Sequence, residues 1–180
     1  MTWDVSRVRT RLAAMADADP ARRRFGSDHH RYRLRPPLAE DVIRAFEHRH
    51  GVQLPASYRR FLLDVADGGA GPDYGIVGLT EVLDEEEALH DVREGDLRHG
   101  VLATPFTGQG QHAVAGSLVI AEGGCGMFSR LVVTGPNAGQ VWHDDPDWGG
   151  LTPGPDFHDW YEAWLTTPQS PGDAEPRQPR

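Results

Sequence analysis

The sequence contains no lysine, and all 18 of its basic residues are arginines. Chemistry that needs a lysine amine, such as a Schiff base or a phosphate-binding lysine, is therefore excluded. The single cysteine, Cys125, excludes an internal disulfide and any metal site built from a cysteine cluster. The formal net charge of -9 lacks the basic footprint of a nucleic-acid-binding protein and is compatible with a basic protein partner.

Long apolar runs are also missing. The sequence has no stretch of about 18 apolar residues, so we expect no transmembrane helix. The N-terminal segment is charged throughout and has no apolar core of a signal peptide. These absences predict a cytoplasmic protein that does not bind membranes, and they leave its oligomeric state open.

Familiar catalytic motifs are absent as well, with neither G-x-S-x-G nor H-E-x-x-H in the sequence. The glycine-rich run GGAGPDYG at 68–75 follows a predicted helix, whereas phosphates bind where a helix begins. It also lacks the lysine of a P-loop and the spacing of a dinucleotide fingerprint. We interpret it as a helix end and a turn that leads into a strand at about 74–79.

Apolar residues at helical spacing predict four helices. In the first, Thr2 is the candidate N-cap and the apolar stripe runs from Val5 to Met15. The others lie at about 38–50, 55–68 and 157–165. Between the first two, a proline-bounded, arginine-rich segment predicts a linker or extended arm, in which we expect His29 and His30 to be solvated.

The second half of the chain has the pattern of strands. Three β-rich runs begin at 117, 127 and 139, and the glycine-rich connections between them are typical of hairpins. They predict an antiparallel meander. Before it, the acidic residues of 80–112 allow a short helix, and the proline-rich tail 166–180 is predicted to be disordered.

The richest polar cluster is VWHDDPDWGG at 141–150. His143, Asp144, Asp145 and Asp147 could bind a divalent cation through oxygen ligands or supply paired carboxylates, but they do not have the spacing of a calcium loop. Alternatively, the cluster is an exposed strand end and turn. With Trp148 beside the aspartates, it would then suit contact with an arginine- or lysine-rich partner.

Cys125 lies in the run GGCGM. A thiolate nucleophile needs a nearby base and positive surroundings, and no histidine stands in a recognisable arrangement with this cysteine. We interpret Cys125 as a small buried residue in a tight turn.

Four segments, in order, resemble the SMI1/KNR4 domain of the SUKH superfamily. A helix ends near Gly51 and is followed by Leu54-Pro55. A Tyr-x-x-Phe-Leu helix then ends in Gly-Gly, and later come a strand–turn–strand segment with Gly-x-Val-Trp and a terminal aromatic helix. The matching motif residues are Gly51, Leu54, Pro55, Tyr58, Phe61, Gly68, Gly69, Trp142 and Trp164. Each has a structural explanation as a cap, turn or core anchor.

This resemblance implies an α+β fold, in which a central, mostly antiparallel sheet packs against several helices. It divides the chain into an N-terminal helix and arginine-rich arm (1–35), an SMI1/KNR4-like domain (36–165) and the tail (166–180). It also implies a protein that binds other proteins and has neither a catalytic centre nor a cofactor. Many bacterial relatives look like immunity proteins, and fungal relatives are similar to scaffold or regulatory proteins.

Three hypotheses follow for the function. In the first, an immunity-type protein binds and neutralises a protein toxin through its acidic residues. The candidate contact residues are Glu85, Glu86, Glu87, Asp144, Asp145, Asp147 and Trp148. The second is an adaptor or regulatory module without a toxin. The third is a metal-binding protein or enzyme centred on His143, Asp144, Asp145 and Cys125.

Overall fold

The computed structural model describes residues 2–79, 97, 100–110 and 112–167. Within them, five helices and a four-stranded antiparallel sheet form an α+β fold, as predicted. The helices are α1 (Val5–Ala18), α2 (Ser27–His30), α3 (Glu40–His50), α4 (Ala56–Asp64) and α5 (Phe157–Thr166). The strands, in sheet order, are β1 (Ser117–Gly124), β2 (Met127–Val132), β3 (Val141–Asp145) and β4 (Gly150–Thr152).

The N-terminal helix α1 buries the apolar face that its spacing predicts. Val8, Leu12 and Met15 are its buried residues. The predicted cap is wrong, because the Asp4 carboxylate and not Thr2 accepts a hydrogen bond from the Arg7 backbone N–H, at 2.9 Å. The first turn is also tied to α5 by an ion pair of 2.8 Å between Arg7 and Glu162.

An aromatic cluster joins the segment just before α1 to α4 and α5. Trp3 lies edge-on to Phe61, Phe157 and Tyr161, with ring centroids 5.2, 6.0 and 5.7 Å away. Its indole N–H donates to the Ser57 carbonyl at 3.0 Å, so the polar atom of this buried ring is satisfied. The aromatic stripe predicted in the last helix is thus part of the main core.

The arginine-rich segment between α1 and α3 is folded against the domain, and it contains the short helix α2. His30, expected to be solvated, is buried against Tyr32 and Trp164. Burial, and then the nearby Arg24 guanidinium, lowers the pKa of His30 to about 4. His29 is exposed and lies against the ring of Tyr74.

The glycine-rich run acts as a turn, as predicted. Gly68 and Gly69 have φ of 85° and 98°, and a Cβ on either would collide with the backbone of a neighbouring segment. The strand predicted at 74–79 is not formed. Ile76 makes isolated bridges to Gly69 and Ala121, and the positive φ of Gly75, 109°, interrupts the extended backbone on which a regular strand depends.

Both faces of the sheet are covered. The helices bury one face, and residues 100–110 and 112 cover the other. There a smaller apolar cluster forms from Leu102, Val132, Trp142 and Leu151, with Phe106 against it. Phe106 and Leu151 exchange backbone hydrogen bonds of 3.0 and 2.8 Å. The predicted three-stranded meander is confirmed, and the short strand β4 is an addition to it.

Among the described residues, no helix is both long and apolar enough to cross a membrane. The acidic run that contains Glu85, Glu86 and Glu87, with the short helix suggested near it, lies outside the described residues. So does the tail from residue 168.

Candidate partner-binding hairpin

The β3–β4 hairpin carries most of the polar cluster singled out from the sequence. Its turn, 146–149, is fixed from within, because Asp145 accepts the Trp148 N–H at its side chain (3.1 Å) and the Gly149 N–H at its carbonyl (3.1 Å). It is also fixed from outside by a bond of 2.8 Å from the Gly110 N–H to the Pro146 carbonyl. Three hydrogen bonds within the chain therefore support the conformation of this turn.

The fixed turn presents an exposed tryptophan beside a carboxylate. Trp148 has 66 % of its surface exposed, which sets it apart from the buried Trp142 of the same hairpin. Asp147 is exposed next to it, and Asp145 is half-buried beneath. A rigid indole next to negative charge can pack against the apolar stem of an arginine or lysine while the carboxylate meets its cation.

The expectation of an exposed strand end is wrong for Asp144, which is 3 % exposed and lies on the inner face of the hairpin. One carboxylate oxygen pairs with the Arg130 Nε, and the other lies 2.7 Å from the His112 Nε2. Burial lowers the pKa of Arg130, while the Asp144 carboxylate works in the opposite direction. The role of Asp144 in the described structure is internal pairing.

Arg130 and His112 were not recognised from the sequence. The register pairs Arg130 with Trp142 and Phe128 with Asp144, so the arginine and the aspartate share one face of the sheet. A charged residue between the apolar positions Phe128 and Val132 was the available signal. No local signal predicts His112, which reaches the pair from the covering segment and stacks on Phe106 at 5.1 Å.

The residues of the metal and enzyme hypothesis do not converge. His143 and Asp144 are consecutive on a strand and face opposite sides, with the histidine exposed and the aspartate buried. Cys125, expected to be buried, is an exposed free cysteine in the β1–β2 turn, with φ of 51°. Among the described residues, no group of three or more His, Cys, Asp or Glu side chains has an arrangement that could hold a metal ion.

A comparison with protein families assigns the chain to a family. Residues 37–163 match the model of the SMI1 / KNR4 family (SUKH-1). The chain belongs to the SMI1/KNR4 family. This match confirms the resemblance found in the sequence, and it includes the whole β3–β4 hairpin.

SMI1/KNR4 domains of the SUKH-1 type are known as immunity-type proteins and are generally not enzymes, so the family favours a protein partner. Searches of curated proteins and of solved structures found no match to the chain. The family match begins after the arginine-rich arm, so α1, α2 and the arm, here called the extension, precede the matched residues.

Proposed function

We propose that this protein is an immunity protein that binds and neutralises a protein toxin, with the β3–β4 hairpin as its contact surface. The observation that carries the proposal is the exposed Trp148, held on a fixed turn next to Asp147, in a chain of an immunity-type family. Exposed large aromatics in a preformed loop are typical centres of binding energy, because little conformational entropy is lost when they are covered.

Charge supports a basic partner. The chain has a formal net charge of -9, and negative surfaces accelerate encounter with positively charged proteins. Asp147 and Asp145 lie at the hairpin, whereas Asp144 is neutralised internally by Arg130 and contributes little to a partner. The proposed toxin surface is therefore one in which an arginine or lysine side chain packs over Trp148 and meets Asp147.

The test compares capture of partners by tagged proteins from lysates of the source cells. One bait is the wild type and another carries Trp148→Ala with Asp147→Arg. We expect wild type to recover a protein with a toxic domain, and the double variant to bind it at least about 30-fold more weakly, as for loss of a hot-spot residue. Titration of the purified pair by calorimetry gives the two dissociation constants.

A matched control carries Val42→Ala with Asp28→Arg, which removes another exposed apolar side chain and reverses another exposed aspartate. It should bind as the wild type does. Equal binding by the hairpin variant would place the contact elsewhere. A captured partner that does not inhibit growth when expressed alone would instead support the adaptor function.

A further inference from the structure

Charge is distributed unevenly between the extension and the rest of the chain. Residues 1–36 contain nine arginines and four aspartates, for a formal net charge of +5. The remaining residues contain nine arginines and 23 acidic residues, for a net charge of -14. The basic part coincides with the segment that precedes the SMI1/KNR4 match at residue 37. The extension thus has the charge expected for an acidic ligand, opposite to that of the domain that carries it.

A groove between α1 and the arm gathers several of these arginines. Its volume is about 630 Å³, within the range of ligand sites. Leu12, Leu34 and Val65 give it an apolar lining, and Arg9, Arg31 and Arg33 add positive charge. These three arginines are exposed, and none of them forms an ion pair with any residue that the structure describes.

The walls of the groove are held in place. The Asp19 carboxylate, at the end of α1, accepts hydrogen bonds from the Tyr32 hydroxyl at 2.7 Å and the Ser27 hydroxyl at 3.1 Å. Burial opposes ionisation of Asp19, but these bonds and those from the Arg23 and Arg24 backbone hold its pKa below the usual value. The ionised carboxylate therefore ties the arm to α1.

The arm is also attached to the domain on its other side. The Ala70 N–H donates to the Arg33 carbonyl at 2.8 Å, and the Arg35 N–H donates to the Gly68 carbonyl at 3.1 Å. The backbone on both sides of Leu34 is thus fixed, while Arg31 and Arg33 extend into solvent. A groove built this way needs little rearrangement to bind a ligand.

We propose that this groove is a second interaction site, which binds an acidic segment of a protein partner that also carries apolar side chains. Guanidinium groups form paired hydrogen bonds with carboxylates, and the apolar lining accepts the hydrophobic residues between them. A nucleic acid fits less well, because its bases and continuous phosphates do not use an aliphatic lining and the surrounding domain is strongly acidic. The site lies on elements other than the β3–β4 hairpin.

The test uses a short fluorescein-labelled peptide of alternating glutamate and leucine, and fluorescence anisotropy with the full-length protein at low salt. The site variant carries Arg9→Gln, Arg31→Gln and Arg33→Gln. The control carries Arg11→Gln, Arg22→Gln and Arg23→Gln, which remove the same charge from exposed positions outside the groove. We expect the site variant to bind about tenfold more weakly than wild type and the control to stay within about twofold.

Three results would overturn the proposal. The first is an equal loss of peptide affinity in the site and control variants, which indicates diffuse electrostatic attraction. The second is tighter binding of a short DNA duplex than of the peptide. The third is that the wild type does not bind the peptide. A peptide with glutamine for glutamate should bind weakly, and melting curves check that the variants are folded. The Trp148→Ala/Asp147→Arg protein should bind the peptide normally, so the outcome here is separate from that of the toxin experiment.

Discussion

The two buried faces of the sheet are filled with different chemistry. On the helix side, two polar groups of the core are uncharged. They are the Tyr161 hydroxyl, which donates to the Ala70 carbonyl at 2.9 Å, and the imidazole of His30. On the opposite side, Arg130 and Asp144 form an ion pair, 3 % and 4 % exposed in their side chains. Burial raises the pKa of Tyr161 and lowers that of His30, so both stay uncharged, whereas the far face depends on a pair of charges.

This difference indicates which face of the sheet loses more stability when one of its polar groups is replaced. A neutral core group loses one hydrogen bond when it is replaced, but a buried ion whose partner is removed keeps its charge in a medium that solvates it poorly. We therefore expect the smaller cluster behind the hairpin to be the more sensitive to a single polar substitution.

The largest effect is expected for Asp144→Asn. The substitution removes the charge of Asp144 beside the buried Arg130 guanidinium, which costs about 3–5 kcal/mol of the free energy of unfolding. Urea denaturation of the wild type and the variant measures this loss. Asp147→Asn, at an exposed position of the same hairpin, is the matched control and should change stability by less than about 0.5 kcal/mol.

A double replacement separates the cost of an unbalanced charge from the value of the ion pair itself. Arg130→Met with Asp144→Leu removes both charges and should cost less than Asp144→Asn alone. If the single substitution is harmless, or the double one costs more, the far face does not depend on the ion pair as described.

Lowering the pH is expected to destabilise the helix side of the core, because it protonates the buried His30. The native pKa of about 4 lies below the ordinary value of 6.5, so the unfolded chain binds more protons between these values and stability falls as the pH is lowered through this window. The contribution is present above about pH 6.5, and about 2–3 kcal/mol of it is lost at pH 4.

The measurement is urea denaturation at several pH values for wild type, His30→Asn and His29→Gln. Asparagine keeps an acceptor for the Tyr32 N–H, which donates to the His30 ring at 3.0 Å. The His30 variant should lose the extra acid sensitivity, and the exposed His29 variant should keep it. If the free energy of unfolding changes with pH in the same way in all three proteins, the low pKa of His30 is contradicted.

The smallest effect is expected for Tyr161→Phe. This change leaves the Ala70 carbonyl without its side-chain donor and should cost about 1–2 kcal/mol. Tyr74→Phe is the control, because the half-buried Tyr74 hydroxyl makes no hydrogen bond within the described part of the chain. A loss for Tyr161→Phe as large as that for Asp144→Asn would remove the distinction between the two faces.

The sequence predicts the helix side better than the far side, for a physical reason. Helices α1 and α5 bury stripes whose spacing repeats every three or four residues, so they can be recognised locally. Residues 100–110 and 112, which cover the far face, have no such period, and the contact of Phe106 with Leu151 joins chain segments far apart in sequence.

In the candidate site too, features within one short segment could be predicted and contacts between distant segments could not. The exposed aspartate and tryptophan of the turn could be recognised within ten residues of sequence, but the burial of Asp144 could not, because Arg130 and His112 come from two other segments. The three residues of β4 are too few to show alternation. The strand predicted at 74–79 was wrong because its apolar pattern does not reveal the positive φ of Gly75.

The exposed Trp148 also has an optical consequence. The protein has five tryptophans, of which Trp3 and Trp142 are buried and Trp160 and Trp164 are half-buried. Trp148 is thus the indole most open to water, with the reddest expected emission and the readiest quenching by iodide. A molecule that covers the turn would shift this emission to shorter wavelength and shield it from the quencher, so the protein carries its own fluorescent reporter at the surface proposed to meet a partner.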